Sequence, residues 1–295
     1  MIDLSLLPFP DSVEPLDYET VLAEMRADLL SRAPELAAVL GLESEPINKL
    51  LEVCAYRETL LRQRENESVL AVTLAYATGA DLDNLAALFG VQRLLVSAAD
   101  PTAVPPVPAV YETDARLRLR VQLALEGFST AGPRGAYEFH SLSASPQVKS
   151  VAVSSPTPVQ VLVTLLSTEG DGTADAALQA TVLAALNAED VRPLTDQVLI
   201  QSATITPYSV AATLTLYPGP DAEVVRAAAQ QATEAYVAEH HRIGHDITLS
   251  GLYAALHQPG VQRVVLTSPA ADIVCNATQA AWCSAISVTI GGTDA

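Results

Sequence analysis

The sequence predicts an α+β protein: an N-terminal helical, bundle-forming region followed by two small mixed α/β domains. Three observations predict it. Apolar residues recur at helical spacing in successive stretches from about residue 18 to residue 90. Pro101, Pro105, Pro106 and Pro108 then interrupt the pattern within 97–113. Beyond them, short β-branched runs alternate with helical stretches. The expected organisation is an arm and helical region over 1–96, a linker over 97–113, a middle α/β domain over 114–205 and a C-terminal α/β domain over 206–295.

Residues 1–15 carry Pro8, Pro10 and Pro15 and read as an extended arm. Asp17 is placed to cap a helix over about 18–32, with Tyr18, Val21, Leu22, Met25 and Leu29 on one face. Pro34 interrupts it, and a short helical piece ends near Gly41. Ser44 is placed to cap the next helix, with Pro46 in its first turn, where a missing N–H costs nothing. That helix reads through to Thr78 and would be roughly 50 Å long. Its apolar stripe is Ile47, Leu50, Leu51, Cys54, Leu61, Val69, Val72 and Tyr76. Two readings of the stripe stand: it packs on other chains, or a helical hairpin buries it internally. In ATGADLDNLAALFGVQR (77–93), Gly79 and Gly90 suit helix C-termini and Asp81 a helix start.

The proline-rich segment 97–113 reads as an extended linker and domain joint. DARLRLRVQLALEGF then gives a helix carrying Arg116, Arg118 and Arg120. Steps of two residues turn a helix by about 200°, so these cations should spread around its exposed side. Arg116 and Arg120 are candidate contacts for an acidic neighbour; a solvated face is the alternative. A short helix with Tyr137 and His140 precedes strands at 148–154 and 159–166, a helix over 173–189 and a strand near 197–204. Strand 208–217 leads through Pro218 and Pro220, with Asp221 as cap, to a helix over about 221–241. A short helix (249–258) and strands at 261–268 and 284–290 close the chain. RGAYEFHSLSASPQVKSVAVSSP and LSGLYAALHQPGVQRVVLTSP share an order of parts, as a duplicated helix–strand–turn–strand unit would.

Sixteen basic against 34 acidic residues leave a net charge of −18 over 295 residues. Such a surface repels phosphate backbones and anionic membranes, so nucleic-acid and membrane binding are not expected. No apolar run reaches the roughly 20 residues of a membrane helix, and MIDLSLLPFPD lacks a signal peptide's basic start. Cys54, Cys275 and Cys283 form no disulfide framework, although the last two could meet across a hairpin.

Few residues suggest chemistry. His240, His241 and His245 cluster, and the spacing of four between the last two suits a metal on one helix face, with Asp246 as a third ligand. Gly244 should end the helix between them, and cationic side chains also suit a last helical turn. GDG at 170–172 lacks the lysine and spacing of a phosphate loop, and Cys275 and Cys283 lack zinc-site spacing. No catalytic residue, metal or cofactor is assigned. A metal-dependent enzyme using the histidines and a receptor-binding module remain alternatives.

SEPINKLLEVCAYRETLLRQREN (44–66), ATGADLDNLAALFGVQR (77–93), DARLRLRV (114–121), STAGPRGAYEFH (129–140), VRPLTDQV (191–198) and YSVAATLTLYPGPD (208–221) together resemble, in order and spacing, the baseplate J-like proteins of contractile-tailed phages and phage-tail-like bacteriocins. The resemblance implies a non-catalytic wedge subunit of a sixfold baseplate around the tail hub. In that family two copies join a second, gpI-like wedge protein through a helical bundle and meet the sheath-initiating protein, while C-terminal domains link neighbours into a ring.

Overall fold

The computed structural model describes residues 2–129, 131–219 and 221–294, so Pro220 lies outside the described residues. The fold is α+β, and the chain forms two compact units: Met1–Gln92 with Thr113–Gln122, and Arg93–Glu112 with Leu123–Ala295.

In the first unit, α1 (Tyr18–Arg32) starts where Asp17 accepts the Glu19 N–H at 3.2 Å and the Thr20 hydroxyl. A 3-10 turn at Pro34–Leu36 and α2 (Ala37–Leu40) follow. Buried Asn48 ties this turn to the next helix, donating to the carbonyls of Leu40 at 3.1 Å and Leu42 at 2.6 Å. The long helix α3 spans Pro46–Ala71, 26 residues or about 39 Å. Its N-cap is Glu45 rather than Ser44, and it stops short of Thr78. A nearby hydroxyl and a distant arginine account for the early end. The Thr73 hydroxyl takes the Leu70 carbonyl, and Arg118 draws the carbonyls of Leu74 and Ala77, each at 2.7 Å, out of any helical ladder.

Helix α4 spans Gly79–Ala87 with Thr78 as N-cap, so Asp81 sits in its first turn and is not the cap. Gly79, at φ +53°, opens α4 instead of closing α3, and its N–H is taken by Asp114. Gly90 does close its turn at φ +69°, with the Val91 N–H reaching back to the Ala86 carbonyl. The N-terminal arm is clipped to α3 and to the turn after it: Asn66 exchanges two hydrogen bonds with the Glu14 backbone, and Phe9 stacks on Tyr76 at 4.8 Å.

The proline-rich segment does not run on as an extended linker. It doubles back as an antiparallel ribbon, β1 (Leu95–Ser97) against β2 (Val110–Tyr111), continued by a bridge between Asp100 and Val107. Asp100 turns the chain by accepting the N–H groups of Thr102 and Ala103. The prolines at 105 and 106 fall in the loop end, where no ladder N–H is needed. Glu112, buried, anchors the base by accepting the Leu94 N–H.

Helix α5 (Asp114–Gly127) leads to α6 (Arg134–Ala144) and a three-stranded sheet of order β3-β4-β5. In it β3 (Val148–Ser154) runs antiparallel to β4 (Gln160–Ser167). After α7 (Ala176–Leu186), β5 (Gln197–Ser202) returns parallel to β4. A second sheet, β7-β6-β8, is built on β6 (Thr204–Leu216), with β7 (Val261–Ser268) antiparallel on one side and β8 (Gln279–Thr293) parallel on the other. Helices α8 (Ala222–His240), capped by Asp221, and α9 (Leu249–Leu256) cover it. Leu214, Leu216, Ala229 and Leu256 are fully buried between these layers. Leu166, Ala203, Ile243 and Ala280 form a smaller core joining the two sheets' surroundings.

The echo expected between the two halves is not repeated in the pairing. Strand β3 pairs directly with β4, whereas β7 and β8 lie on opposite sides of β6. The shared Gly, Pro and Ser follow from helix-to-strand turns.

A candidate partner interface on the third helix

Helix α3 has two apolar faces. One packs on α1: Ala55 is fully buried against Val21 and Leu22, with Leu51, Tyr18 and Met25 around it. The other points to solvent. Leu50 and Leu61 are each 62% exposed, and Val53, Cys54 and Leu60 lie exposed on the same side. Positions 50, 53, 57, 60, 61 and 64 recur at three- and four-residue steps, so they share one stripe, which Arg57 and Arg64 interrupt. Neighbouring positions 50 and 51 differ by about 100° around the axis. That angle is why one run of leucines serves both an internal and an external surface.

The residues singled out in the sequence therefore separate. Leu50, Cys54, Leu61 and Val72 are exposed. Leu51 belongs to the contact with α1, and Ile47 and Val69 are half-buried. Tyr76 is half-buried and serves the chain's own arm, stacking on Phe9 and donating its hydroxyl to the Leu7 carbonyl. Arg116 is half-buried. Arg120 does not meet the expectation of an exposed cation: it is 4% exposed and donates to the Gln92 carbonyl at 3.0 Å. Arg118 likewise turns inward to Leu74 and Ala77. The turns after α3 and α4 leave carbonyls without helical partners, and Arg118 and Arg120 of α5 supply donors to them.

Three family models match the chain in order: the baseplate J-like N-terminal domain over 43–100, the central domain over 129–202 and the C-terminal domain over 208–289. The chain belongs to the baseplate J-like family. It is also 52% identical over 299 residues to baseplate protein J of Escherichia phage P2, a match covering all of this chain and 99% of that protein. The stretch matching the N-terminal family domain contains the whole of α3 and α4, so the exposed stripe lies within it.

The histidines of this baseplate J-like chain do not share a ligand face. His240 ends α8, its ring stacked on Tyr236 at 4.1 Å and its Nδ1 2.9 Å from the Tyr236 carbonyl. The chain then leaves the helix at His241 and turns at Gly244, φ +73°. His241 is buried, with Nδ1 2.7 Å from the Ala281 carbonyl and its ring edge-on to Trp282 at 5.0 Å. His245 is exposed, and Asp246 accepts the Cys275 N–H at 2.8 Å. Among the described residues no three His, Cys, Asp or Glu side chains are grouped to hold a metal. Burial, reinforced by Lys149, holds His241 below the ordinary histidine range; Asp171 and the Ala281 carbonyl oppose the shift. With a carbonyl as partner, neutral His241 donates from Nδ1.

Gly172 makes this arrangement possible. Its backbone lies so close that a Cβ there would fall 2.8 Å from His241 Nε2 and 2.6 Å from Leu166 Cδ1. The GDG turn, read in the sequence only as something other than a phosphate loop, thus seats a buried histidine. Cys275 and Cys283 are free thiols in one apolar cluster, and burial raises both. The outward residues the sequence reading missed are Val53 and Leu60. A strict helical-wheel sorting of 47–72 would have found them, because they complete the stripe of Leu50 and Leu61.

Proposed function

We propose that this chain is a structural component of a contractile-tail baseplate, and more narrowly a wedge subunit held to its neighbours through α3. Family membership and the near-full-length likeness to a phage baseplate protein support the structural role. The observation that carries the narrower reading is the solvent-facing stripe of Leu50, Val53, Cys54, Leu60 and Leu61. It lies on a helix of about 39 Å whose other face is already satisfied by α1. Apolar stripes of this length on a soluble protein mark protein–protein contacts. The occupants that fit are helices of a second copy and of a second wedge protein. The sheath-initiating protein and the tail hub are further neighbours in this reading.

A wedge subunit relays a triggering change when its units turn as rigid bodies and exchange interfaces. The chain passes between its two compact units at 92–93, at 112–113 and, inside α5, at 122–123, and we place the joint at the first two, which flank the β1–β2 ribbon. No side-chain arrangement described above favours a catalytic role: His240 and His241 are each engaged by a backbone carbonyl and an aromatic ring, and His245 meets only the edge of the His240 ring, 6.2 Å between centroids. Co-expression of the full chain with adjacent tail genes, followed by native mass measurement, tests the reading. A stable hetero-oligomer containing this chain is expected. A chain that purifies free of every tail protein contradicts it.

A further inference from the structure

The middle sheet leaves a cavity of about 230 Å³ between the start of α6 and the hairpin end of β3 and β4. Val153, Val161 and Tyr137 give it apolar walls, and Ser154, Ser155 and Arg134 stand with them in the lining. Its frame is fixed from within the chain. Tyr137 is buried and donates its hydroxyl to Asp196 at 2.8 Å. The segment 193–196 closes on Gly132, where a Cβ would fall 2.6 Å from Pro193 Cγ. The Gln197 N–H then takes the Val159 carbonyl at 2.8 Å.

Three side chains are exposed at this end of the sheet. Leu194, between Pro193 and Asp196, is 99% exposed. Val159 is 60% exposed and holds φ at +73°, a conformation that β-branched residues adopt only under constraint. Arg134 is the first residue of α6, where the macrodipole opposes a cation. Among the described residues neither a hydrogen bond nor an ion pair holds its guanidinium. Glu138, one turn on, feels its charge without pairing with it, and neither Glu138 nor Glu126 lines the cavity.

We propose that this cavity seats one apolar side chain from an acidic segment of another tail protein, with a carboxylate of that segment on Arg134. Size decides against a cofactor. Drug-sized ligands and cofactors occupy about 300–1,000 Å³, whereas about 150 Å³ already holds a benzene ring. A single side chain of leucine or phenylalanine size therefore fills the space, and Leu194 and Val159 extend the apolar contact beside it. The charge of the occupant follows from Arg134, the one charged residue among those lining the cavity. A buried apolar anchor with a polar contact at its rim is the usual form of a local hot spot. The site names a contact for the assembly role proposed above and rests on that reading for its partner.

Nuclear magnetic resonance of the full chain with the peptide acetyl-Asp-Leu-Asp-amide tests the chemistry. Shifted amide signals at Gly132, Arg134, Ser154, Ser155 and Val161 are expected at about millimolar peptide. Acetyl-Asp-Ala-Asp-amide should bind about tenfold more weakly, because the apolar anchor is gone. Acetyl-Asn-Leu-Asn-amide should lose about two- to fivefold, the range of an exposed ion pair. Arg134→Glu should weaken the parent peptide at least as much, and Arg134→Lys should keep most of its binding. Arg134 is exposed and glutamate suits a helix start, so the first variant keeps the fold. Signals unmoved at about 10 mM peptide, or either control peptide binding as well as the parent, overturn the proposal. In assembled particles, p-benzoylphenylalanine at position 194 should photo-cross-link to a different tail protein, at an apolar residue flanked by Asp or Glu, and Arg134→Glu should cut the yield about fivefold. Adducts confined to copies of this chain overturn the proposal and leave the assembly role standing. A chain that no particle contains refutes the assembly role, and with it the partner named here.

Discussion

The double substitution Leu50→Asp, Leu61→Asp separates the two faces of α3 most cleanly. Both leucines are 62% exposed, so in the isolated chain the change touches solvent, and its effect on stability should stay within about 0.5 kcal/mol. In an assembly the same side chains would be covered. Full burial of a leucine is worth about 1.5–3 kcal/mol, so covering the exposed 62% of each gives about 1–2 kcal/mol per residue. Losing two such contacts costs about 2–4 kcal/mol, and desolvating two carboxylates adds to it. Since 1.4 kcal/mol is tenfold in affinity, partner binding should fall by at least about 100-fold. The assays are a urea melt of the purified chain and co-purification with the other tail proteins. Unchanged stability with lost co-purification is expected. Undiminished complex formation would refute the outward interface. The control is Ala55→Asp, which buries a charge against Val21 and Leu22 and should instead unfold the N-terminal helices.

Other perturbations probe the interior. Gly172→Ala forces a methyl within 2.8 Å of His241 Nε2 at a positive-φ position and should cost about 2–3 kcal/mol in a denaturant melt, where Gly170→Ala, with open space around it, should cost less. His241 is neutral and lowered when folded, so the unfolded chain takes up its proton first as pH falls. Its stabilising contribution is present above the ordinary histidine pKa of about 6.5 and is lost on acidification below it. His241→Gln should flatten that part of the stability–pH curve. Arg118→Ala removes charged donors from the carbonyls of Leu74 and Ala77 and should destabilise the first unit by about 2 kcal/mol, measured by thermal melting.

Much of this fold is legible in the residues because the signals are local. Asp17 and Asp221 cap their helices as their chemistry dictates, and Gly90 closes its turn. The α+β division follows from where periodicity changes. What escaped depends on distant partners. The end of α3 is set by Arg118, 44 residues beyond Leu74, and no pattern in 44–78 announces it. The proline-rich segment looked extended because proline removes donors; the ribbon it forms needs pairing between 95 and 111, which composition does not reveal. Arg120 looked like a surface cation and is an internal clamp, since its partner carbonyl at Gln92 lies 28 positions away. The apolar stripe was visible as a whole, but its division into an inward and an outward face requires knowing where α1 lies.

The account rests on the outward stripe being covered by foreign subunits, and the most direct measurement is a high-resolution structure of the assembled baseplate. The expected result is that Leu50, Val53 and Leu61 are buried against helices of another chain, while Ala55 and Leu51 keep their contact with α1. A particle in which those three side chains face solvent, or are covered only by their own chain, would contradict it.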